Sequence, residues 1–281
     1  MEEKEKKLHA LLRGYGRVAL GFSGGVDSTL LLHAALDVLG PANVWAVIAD
    51  TPSLPRKEFA EALRLAEEMG APCIVVDTGE LSDPDYAANP VDRCYFCKKH
   101  LFGLVSKVAA EKGFAVVLDG NNADDADDYR PGRRAAQELG VKSPLLEAGL
   151  TKAEIRVLSA QAGLPTADKP AMACLASRIP YGTPVTAEVL AQVERAEEAL
   201  RGAGFVQCRV RHHGEVARIE VPSTELPCLL DNALRATVVR GVKSAGYRYV
   251  TLDLQGYRTG SLNEGLSGGS AAARKKGVAS A

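Results

Sequence analysis

Ser23-Gly24-Gly25-Val26-Asp27-Ser28 joins a short apolar run, 17–22, to a helix-like stretch, 29–39. Two adjacent glycines allow a positive backbone φ angle and a close approach to an anion. The serine hydroxyls and the free N–H groups of the first helical turn would point at that anion. The hexapeptide therefore predicts a phosphate-binding turn between a strand and a helix.

The spacing of this turn excludes the common phosphate loop, because no lysine follows the second glycine and G-x-x-x-x-G-K-[ST] is absent. The string instead resembles the SGGxDS loop of the PP-loop ATP pyrophosphatases. That resemblance implies ATP as a substrate, Mg²⁺ as its companion and transfer of AMP to a substrate oxygen. It makes candidates for the ATP site of Ser23, Gly24, Gly25, Asp27 and Ser28, with Asp27 organising Mg²⁺ or phosphate.

Composition is typical of a soluble enzyme: the chain has 281 residues, of which 46% are hydrophobic and 25% are charged. No apolar run approaches the roughly 20 residues that span a bilayer. The charged start, 1–7, indicates an amphipathic helix and not a secretory signal, so we expect a cytoplasmic protein. The formal net charge of −1 disfavours a nucleic-acid partner.

Alternating strands and helices indicate an α/β fold with a parallel sheet covered on both faces. The expected strands are 18–22, 44–49, 73–77 and 115–119, and the expected helices are 28–39, 56–69, 98–112 and 151–162. Because ligands bind at the carboxyl ends of such strands, nucleotide contacts should come from four loops. These loops are 23–28, 50–53 with Ser53, 77–79, and 119–128 with Asp124 as a candidate Mg²⁺ ligand or as part of a solvated acidic loop.

The pattern changes after Pro184 to that of a small α+β domain. A charged helix over 186–202 precedes strands over 205–211, 214–221 and 247–253, with a further helix among them. We therefore predict an adenylation domain over 1–183, a smaller substrate-binding domain over 184–265 and a disordered tail over 266–281.

Three cysteines are candidates for metal or redox chemistry. Cys94 and Cys97 form a C-x-x-C at the start of a helix, and Cys174 follows later in the chain. A structural zinc site needs four protein ligands, whereas the adjacent His212 and His213 point to opposite faces of a predicted strand. Three thiolates suit a 4Fe-4S cluster with one open iron, and a thioredoxin-like pair remains the alternative.

The other cysteines lie in apolar stretches. Cys73, Cys208 and Cys228 are therefore expected to be small buried hydrophobic residues.

Longer strings resemble the LarE family over about residues 5–264. They are Asn89-Pro90-Val91-Asp92-Arg93-Cys94-Tyr95-Phe96-Cys97-Lys98, Asp128-Tyr129-Arg130-Pro131-Gly132, Ser143-Pro144-Leu145, Thr151-Lys152-Ala153-Glu154-Ile155-Arg156, Lys169-Pro170-Ala171-Met172-Ala173-Cys174-Leu175, Arg178-Ile179-Pro180-Tyr181-Gly182 and Gln255-Gly256-Tyr257-Arg258-Thr259-Gly260-Ser261.

The resemblance implies an ATP-dependent sulfur transferase. Members of this family adenylate a carboxylate of pyridinium-3,5-biscarboxylic acid mononucleotide and convert it to a thiocarboxylate, for the nickel-pincer nucleotide of lactate racemase. They take sulfur either from one sacrificed cysteine, which matches Cys174, or from a 4Fe-4S cluster on three cysteines, which Cys94 and Cys97 would complete. A sulfide or persulfide donor and a homo-oligomer are implied as well.

In the second domain, Arg209 and Arg211 are two positions apart and therefore share one face of a predicted strand. With Arg258 they would clamp a substrate phosphate through bidentate hydrogen bonds. The resemblance implies binding roles for these arginines. It extends such roles to Glu197 and Glu220.

Ser177 and Arg178 lie next to Cys174 in sequence. We expect both to shape the catalytic pocket around that cysteine.

Two other enzyme classes and one binding module stay open. A tRNA thiolase also combines a PP-loop with three cysteines, although the basic extensions that would bind tRNA are not found. An ammonia-using amide ligase would share the adenylation step and tolerate loss of the cysteines. An ATP-sensing module would leave the cysteines without a role.

Overall fold

The computed structural model describes residues 1–125, 131–170, 172–258 and 260–266. It divides into two compact units, the first over Met1–Cys174 and the second from Leu175 onward. The expected tail lies outside the described residues except for residue 266, as do residues 126–128 of the fourth predicted loop. The change of sequence pattern at Pro184 comes nine residues after this division.

The first unit alternates strands and helices, as its sequence predicts. Its elements are α1 (Glu2–Tyr15), β1 (Val18–Gly21), α2 (Val26–Leu39), β2 (Val44–Asp50), α3 (Arg56–Glu68), β3 (Cys73–Asp77), α4 (Pro84–Ala87), α5 (Arg93–Glu111), β4 (Val116–Leu118), α6 (Pro131–Glu138), α7 (Pro144–Glu147) and α8 (Lys152–Gln161).

The four strands form a parallel sheet in the order β3-β2-β1-β4. The chain thus moves outward in one direction from β1 through β2 to β3 and then crosses to the other side of β1. This reversal opens a crevice between the carboxyl ends of β1 and β4, which is where ligands bind in open α/β sheets. The expected parallel α/β fold is confirmed.

Both faces of the sheet are covered at β1 and β2, which explains why these strands are continuous apolar runs, whereas one face of the edge strand β3 is exposed. One face packs on α1, α2 and α8 through fully buried side chains such as Leu12, Leu31 and Ile155. The other face packs on α5 through Phe102 and Val105.

The second unit is a small α+β structure. It contains α9 (Ala187–Gly202), β5 (Arg209–His213), β6 (Val216–Glu220), α10 (Asn232–Ser244) and β7 (Tyr249–Leu252). Its sheet has the order β5-β6-β7, with β5 antiparallel and β7 parallel to β6. Val210, Ala217 and Ile219 turn one face of this sheet toward the apolar residues of α9 and α10.

The first strand of this unit begins four residues later than expected. Phe205 and Cys208 are buried in its core but precede β5, so their apolar character extended the predicted strand. Cys208 is buried as expected, whereas the expectation was wrong for Cys73 and Cys228, which are both exposed. Cys73 begins an edge strand, and Cys228 lies in a short 3-10 helix.

Candidate functional site

The loop after β1 has the backbone of a phosphate-binding turn. Gly24 has φ +67°, and Gly25 is extended and caps α2. The Ser28 hydroxyl donates to the Gly25 carbonyl at 3.1 Å and lies 3.2 Å from the Ser23 hydroxyl. A Cβ atom at Gly24 would lie 3.1 Å from Ala62 of α3, so glycine is required there both by φ and by space.

Three segments converge on Asp27. Its carboxylate forms an ion pair with Lys152 at the start of α8 and accepts a hydrogen bond from the Asn122 amide at 3.3 Å. The Lys152 backbone N–H donates to Asp124 at 2.9 Å. Gly120 brings the loop after β4 close to the turn, because a Cβ atom there would lie 3.2 Å from the Ser28 nitrogen. The crevice between β1 and β4 thus carries two carboxylates that share one lysine residue.

Lys169 connects this turn to the segment that leads to Cys174. Its ammonium group donates to the Gly24 carbonyl at 3.1 Å and pairs with Glu58 at 2.7 Å and Glu61 at 3.2 Å, both on α3. The lysine side chain is only 13% exposed. It therefore fixes the back of the phosphate-binding turn to the neighbouring helix.

The loop after β2 is held by buried polar groups. Ser53 is buried and shares a hydrogen bond of 2.5 Å with the hydroxyl of Tyr86. Burial raises the pKa of Tyr86 above its ordinary value. The buried carboxylate of Glu80 accepts hydrogen bonds from the hydroxyls of Thr51 and Thr78, which joins the loops after β2 and β3.

The C-x-x-C lies at the start of α5. Cys94 and Cys97 are separated by three positions and so share one side of the helix. Burial of the sulfur, and next the charge of Cys174, raises the pKa of Cys97 to about 12. Cys94 is exposed, yet the protein atoms around its sulfur, and next the charge of Cys174, raise its pKa as well. Because a thiolate at Cys174 acts electrostatically on both other thiols, the three sulfurs occupy one neighbourhood.

A cation would suit this neighbourhood, since it would offset the mutual repulsion of thiolates and favour their deprotonation. Thiolates are also the normal ligands of iron–sulfur clusters. Among the described residues, however, no three His, Cys, Asp or Glu side chains are already arranged to bind a metal ion. The donor set fits a cluster chemically without being preformed for one.

In the second unit, Arg178 and Glu197 form an ion pair in which neither side chain is exposed. Glu197 accepts from Arg178 at 2.8 Å and 3.0 Å, from Arg201 at 3.2 Å and from the Val210 N–H at 3.1 Å. Burial by itself would raise the pKa of Glu197, but the charge and hydrogen bonds of Arg178 hold it below its usual value.

The other predicted binding residues of this unit fall into two groups. Arg211 pairs with Glu220 through two hydrogen bonds, of 3.0 Å and 2.8 Å, and donates to the Ser177 carbonyl at 2.8 Å. The guanidinium carbon of Arg209 lies 5.2 Å from the centre of the Tyr257 ring, in a cation–π contact.

Arg258 instead pairs with Glu264 at 2.9 Å and 3.0 Å. The pair of Arg258 and Glu264 is more exposed than the pair of Arg211 and Glu220.

Sequence reasoning did not single out Lys152, Lys169 or Asn122, although the strings quoted above contain both lysines. Their partners lie 125 and 145 positions away in the chain. No local pattern predicts such pairings.

The residues described contain no helix that is both long and apolar enough to cross a bilayer.

A family model described as NAD synthase matches residues 5–85, which include the phosphate-binding turn. An argininosuccinate synthase of Haloarcula marismortui is 31% identical over 163 residues, or 54% of this chain and 38% of that protein. These two similarities are confined to parts of the chain.

Two relatives match nearly the whole length. The uncharacterized protein slr1717 of Synechocystis sp. is 44% identical over 266 residues, covering 94% of this chain and 99% of the relative. The pyridinium-3,5-bisthiocarboxylic acid mononucleotide synthase of Lactiplantibacillus plantarum is 43% identical over 264 residues, covering 94% of this chain and 95% of the relative. With its PP-loop turn and three neighbouring cysteines, the chain belongs to the LarE family of the PP-loop ATP pyrophosphatases.

Proposed function

We propose that this chain is an ATP-dependent sulfur transferase that converts carboxylates of pyridinium-3,5-biscarboxylic acid mononucleotide to thiocarboxylates in nickel-pincer nucleotide biosynthesis. The observation that carries the proposal is the 43% identity, over nearly the full length of both chains, to the synthase of the bisthiocarboxylic acid mononucleotide. The turn after β1 and the cysteine neighbourhood supply the two chemical functions that such a reaction needs.

The first step is adenylation. A substrate carboxylate oxygen attacks the α-phosphorus of ATP, a P–O bond forms, and pyrophosphate leaves with the electron pair of the broken P–O bond. The glycine turn and the N-terminus of α2 would bind the leaving pyrophosphate. Asp27 and Asp124 are the candidates for holding Mg²⁺, and Lys152 would then be released from Asp27 toward the phosphate charge.

The second step is sulfur transfer. AMP makes the carboxyl carbon electrophilic, a sulfur nucleophile attacks that carbon, and AMP leaves with the C–O bonding electrons. Cys94, Cys97 and Cys174 would hold a 4Fe-4S cluster, which supplies sulfide at an iron without a protein ligand when bound. Without it, Cys174 would itself be the sulfur atom's source, in a single turnover.

In the second unit, Arg209 and Arg211 are candidates for binding the substrate phosphate, with Arg258 as a further candidate. Glu197 and Glu220 would position the guanidinium groups, as their paired hydrogen bonds support. Ser177 and Arg178, which follow Cys174 in the sequence, would shape the catalytic pocket. A cytoplasmic homo-oligomer supplied by a sulfide or persulfide donor completes the proposal.

Pyrophosphate exchange into ATP tests the adenylation step. We expect labelled pyrophosphate to enter ATP only when the biscarboxylic acid mononucleotide is added, and an Asp27→Asn variant to lose this exchange. Cys94→Ser, Cys97→Ser and Cys174→Ser variants should retain exchange, because they act after adenylation.

Iron and acid-labile sulfide, measured on anaerobically purified protein and on the same three cysteine variants, identify the sulfur route. About four irons per chain that each variant loses would support the cluster. Iron-free protein with full activity in Cys94→Ser would contradict it.

Exchange that requires tRNA, or deamido-NAD with ammonia, would instead favour the two alternative enzyme classes.

A further inference from the structure

The sheet of the second unit has one apolar face and one strongly basic face. Because side chains alternate along a strand, Arg209, Arg211 and His213 share the face of β5 that is opposite to the buried Val210. On the neighbouring strand, Arg218 is directly across from Arg211. Among the described residues, α9 and α10 pack on the other face, and the segments around Ser177 and Ser261 contact this one.

A cavity of about 290 Å³ lies at the basic face. It is lined by Arg178, Pro180, Tyr181, Arg211, His213, Arg218, Ser261 and Leu262. Arg209 and Arg258, two of the arginines expected from the sequence to bind phosphate, are not among these residues. The lining does include His213 and Arg218, which sequence reasoning did not select for phosphate binding.

Three arginines line the cavity, and none of the described residues of its lining carries a carboxylate. Arg211 and Arg218 share one carboxylate, Glu220, which accepts from Arg211 at 3.0 Å and 2.8 Å and from Arg218 at 3.1 Å. Arg178 is paired with Glu197, which Arg201 also contacts. Asp253 lies 3.6 Å from both Arg218 and Arg258, and Arg258 is paired more closely with Glu264, at 2.9 Å.

Arg218 also has unused hydrogen-bonding capacity. Its Nε atom is buried and has no hydrogen-bond partner within the described parts of the chain. The carboxylate of Asp253 lies 3.6 Å from this atom, which is longer than a hydrogen bond. Ser261 adds a hydroxyl to the lining and already receives a hydrogen bond of 2.7 Å from Arg211.

We propose that His213 and Arg218, together with Arg211, bind the phosphate ester of the substrate, and that His213 takes up a proton when the phosphate binds. Only the identity of the ligand rests on the function proposed above. The ligand class is a pyridinium ribonucleoside monophosphate, recognised at its dianionic end.

Proton uptake follows from the groups that face His213. These are Arg211 on its own strand and Arg218 and Glu220 on β6. His212 is adjacent in sequence but lies on the opposite, buried face, against Tyr247. Surrounding protein atoms, and then the charges of Arg218 and Arg211, lower the pKa of His213. A phosphate dianion has the opposite effect on the ring, so the imidazole gains a proton as the ligand binds near neutral pH.

Calorimetric titration of the full chain with nicotinic acid mononucleotide, and with its riboside as the phosphate-free control, tests the site. Titrations at pH 7.5 in buffers of different ionisation enthalpy measure the protons taken up. We expect the mononucleotide alone to bind with uptake of up to about one proton. Arg218→Gln should weaken binding about tenfold, or about 1.4 kcal/mol. His213→Gln should abolish proton uptake.

Two variants locate the binding. Arg248→Gln removes an exposed arginine of the same unit and should bind as the unchanged protein does. Ser28→Ala alters the glycine turn and should also leave the affinity unchanged. Loss of binding in Ser28→Ala, with none in Arg218→Gln, would overturn the proposal by placing the phosphate in the first unit.

Binding without proton uptake would overturn the proposal as well. The histidine ring resonances of the unmodified protein supply a second readout that does not depend on a variant folding. One resonance, assigned by its absence in His213→Gln, should move toward the protonated position on adding ligand.

This outcome is separable from the wider function. Thiolation at the normal rate by Arg218→Gln would refute the site alone. Proton-linked phosphate binding without any thiolation would refute the function alone.

Discussion

Replacing Glu197 with glutamine should strongly destabilise the second unit. The carboxylate is fully buried, as is the guanidinium of Arg178, and it accepts four hydrogen bonds. Glutamine keeps the shape of the side chain but leaves the positive charge of Arg178 without a counter-charge. Removing one partner of a buried ion pair costs about 3–5 kcal/mol, so we expect a loss of about 3 kcal/mol or more.

Hydrogen exchange followed by mass spectrometry measures this loss where it should occur. Peptides covering α9 and β5 should exchange faster in Glu197→Gln, while peptides of the first unit should not change. Glu198→Gln is the matched control, since it makes the same chemical change at an exposed position of the same helix. For Glu198→Gln, the free energy of opening derived from exchange of the same peptides should differ by no more than about 0.5 kcal/mol from that of the unchanged protein.

A double variant separates the charge from the packing. Arg178→Met combined with Glu197→Leu removes both charges and fills the space with apolar atoms, so it should recover part of the stability that Glu197→Gln loses. Equal exchange in Glu197→Gln and Glu198→Gln would mean that the buried ion pair contributes nothing to the stability of this unit.

Two further changes probe the first unit. Gly24→Ala should lower the free energy of unfolding by about 1–3 kcal/mol, because φ is +67° and Ala62 lies 3.1 Å from the new Cβ atom. Gly14→Ala, where the new Cβ atom lies in open space, is the control, and similar melting temperatures for the two variants would contradict the expectation. Cys97 of the metal-free protein should be alkylated slowly at pH 8, since raising its pKa from 9.0 to about 12 lowers the thiolate fraction about a thousandfold. The rate should rise about tenfold per pH unit between pH 8 and 10, and fast alkylation at pH 8 would show that this thiol is not shielded.

The fold could be predicted where the sequence pattern is local. Apolar runs such as Val44–Asp50 are buried on both faces, and the glycine turn follows directly from its own residues. The boundaries of β5 could not, because Phe205 is buried by packing against the core and not by strand pairing. The predicted burial of single cysteines was also wrong, since Cys73 lies on an edge strand and is exposed.

The candidate site was predictable in its parts and not in its connections. The motifs pointed to Asp27 and to the three cysteines. The ion pair between Asp27 and Lys152, however, depends on how α8 packs beside the sheet, which residue spacing does not encode. Similarly, Arg218 faces Arg211 only because of the strand register. The spacing of Arg209 and Arg211 places them on one face of β5 but carries no information about which residues of β6 lie opposite.

The product of the reaction tests the central claim most directly. The protein, purified anaerobically, would be incubated with MgATP, a sulfide source and pyridinium-3,5-biscarboxylic acid mononucleotide, and the nucleotide would be analysed by mass spectrometry. We expect oxygen to be replaced by sulfur in the carboxylates, with one AMP released for each replacement and none when ATP or sulfide is omitted. A nucleotide of unchanged mass, or one that gains nitrogen from added ammonia, would contradict it.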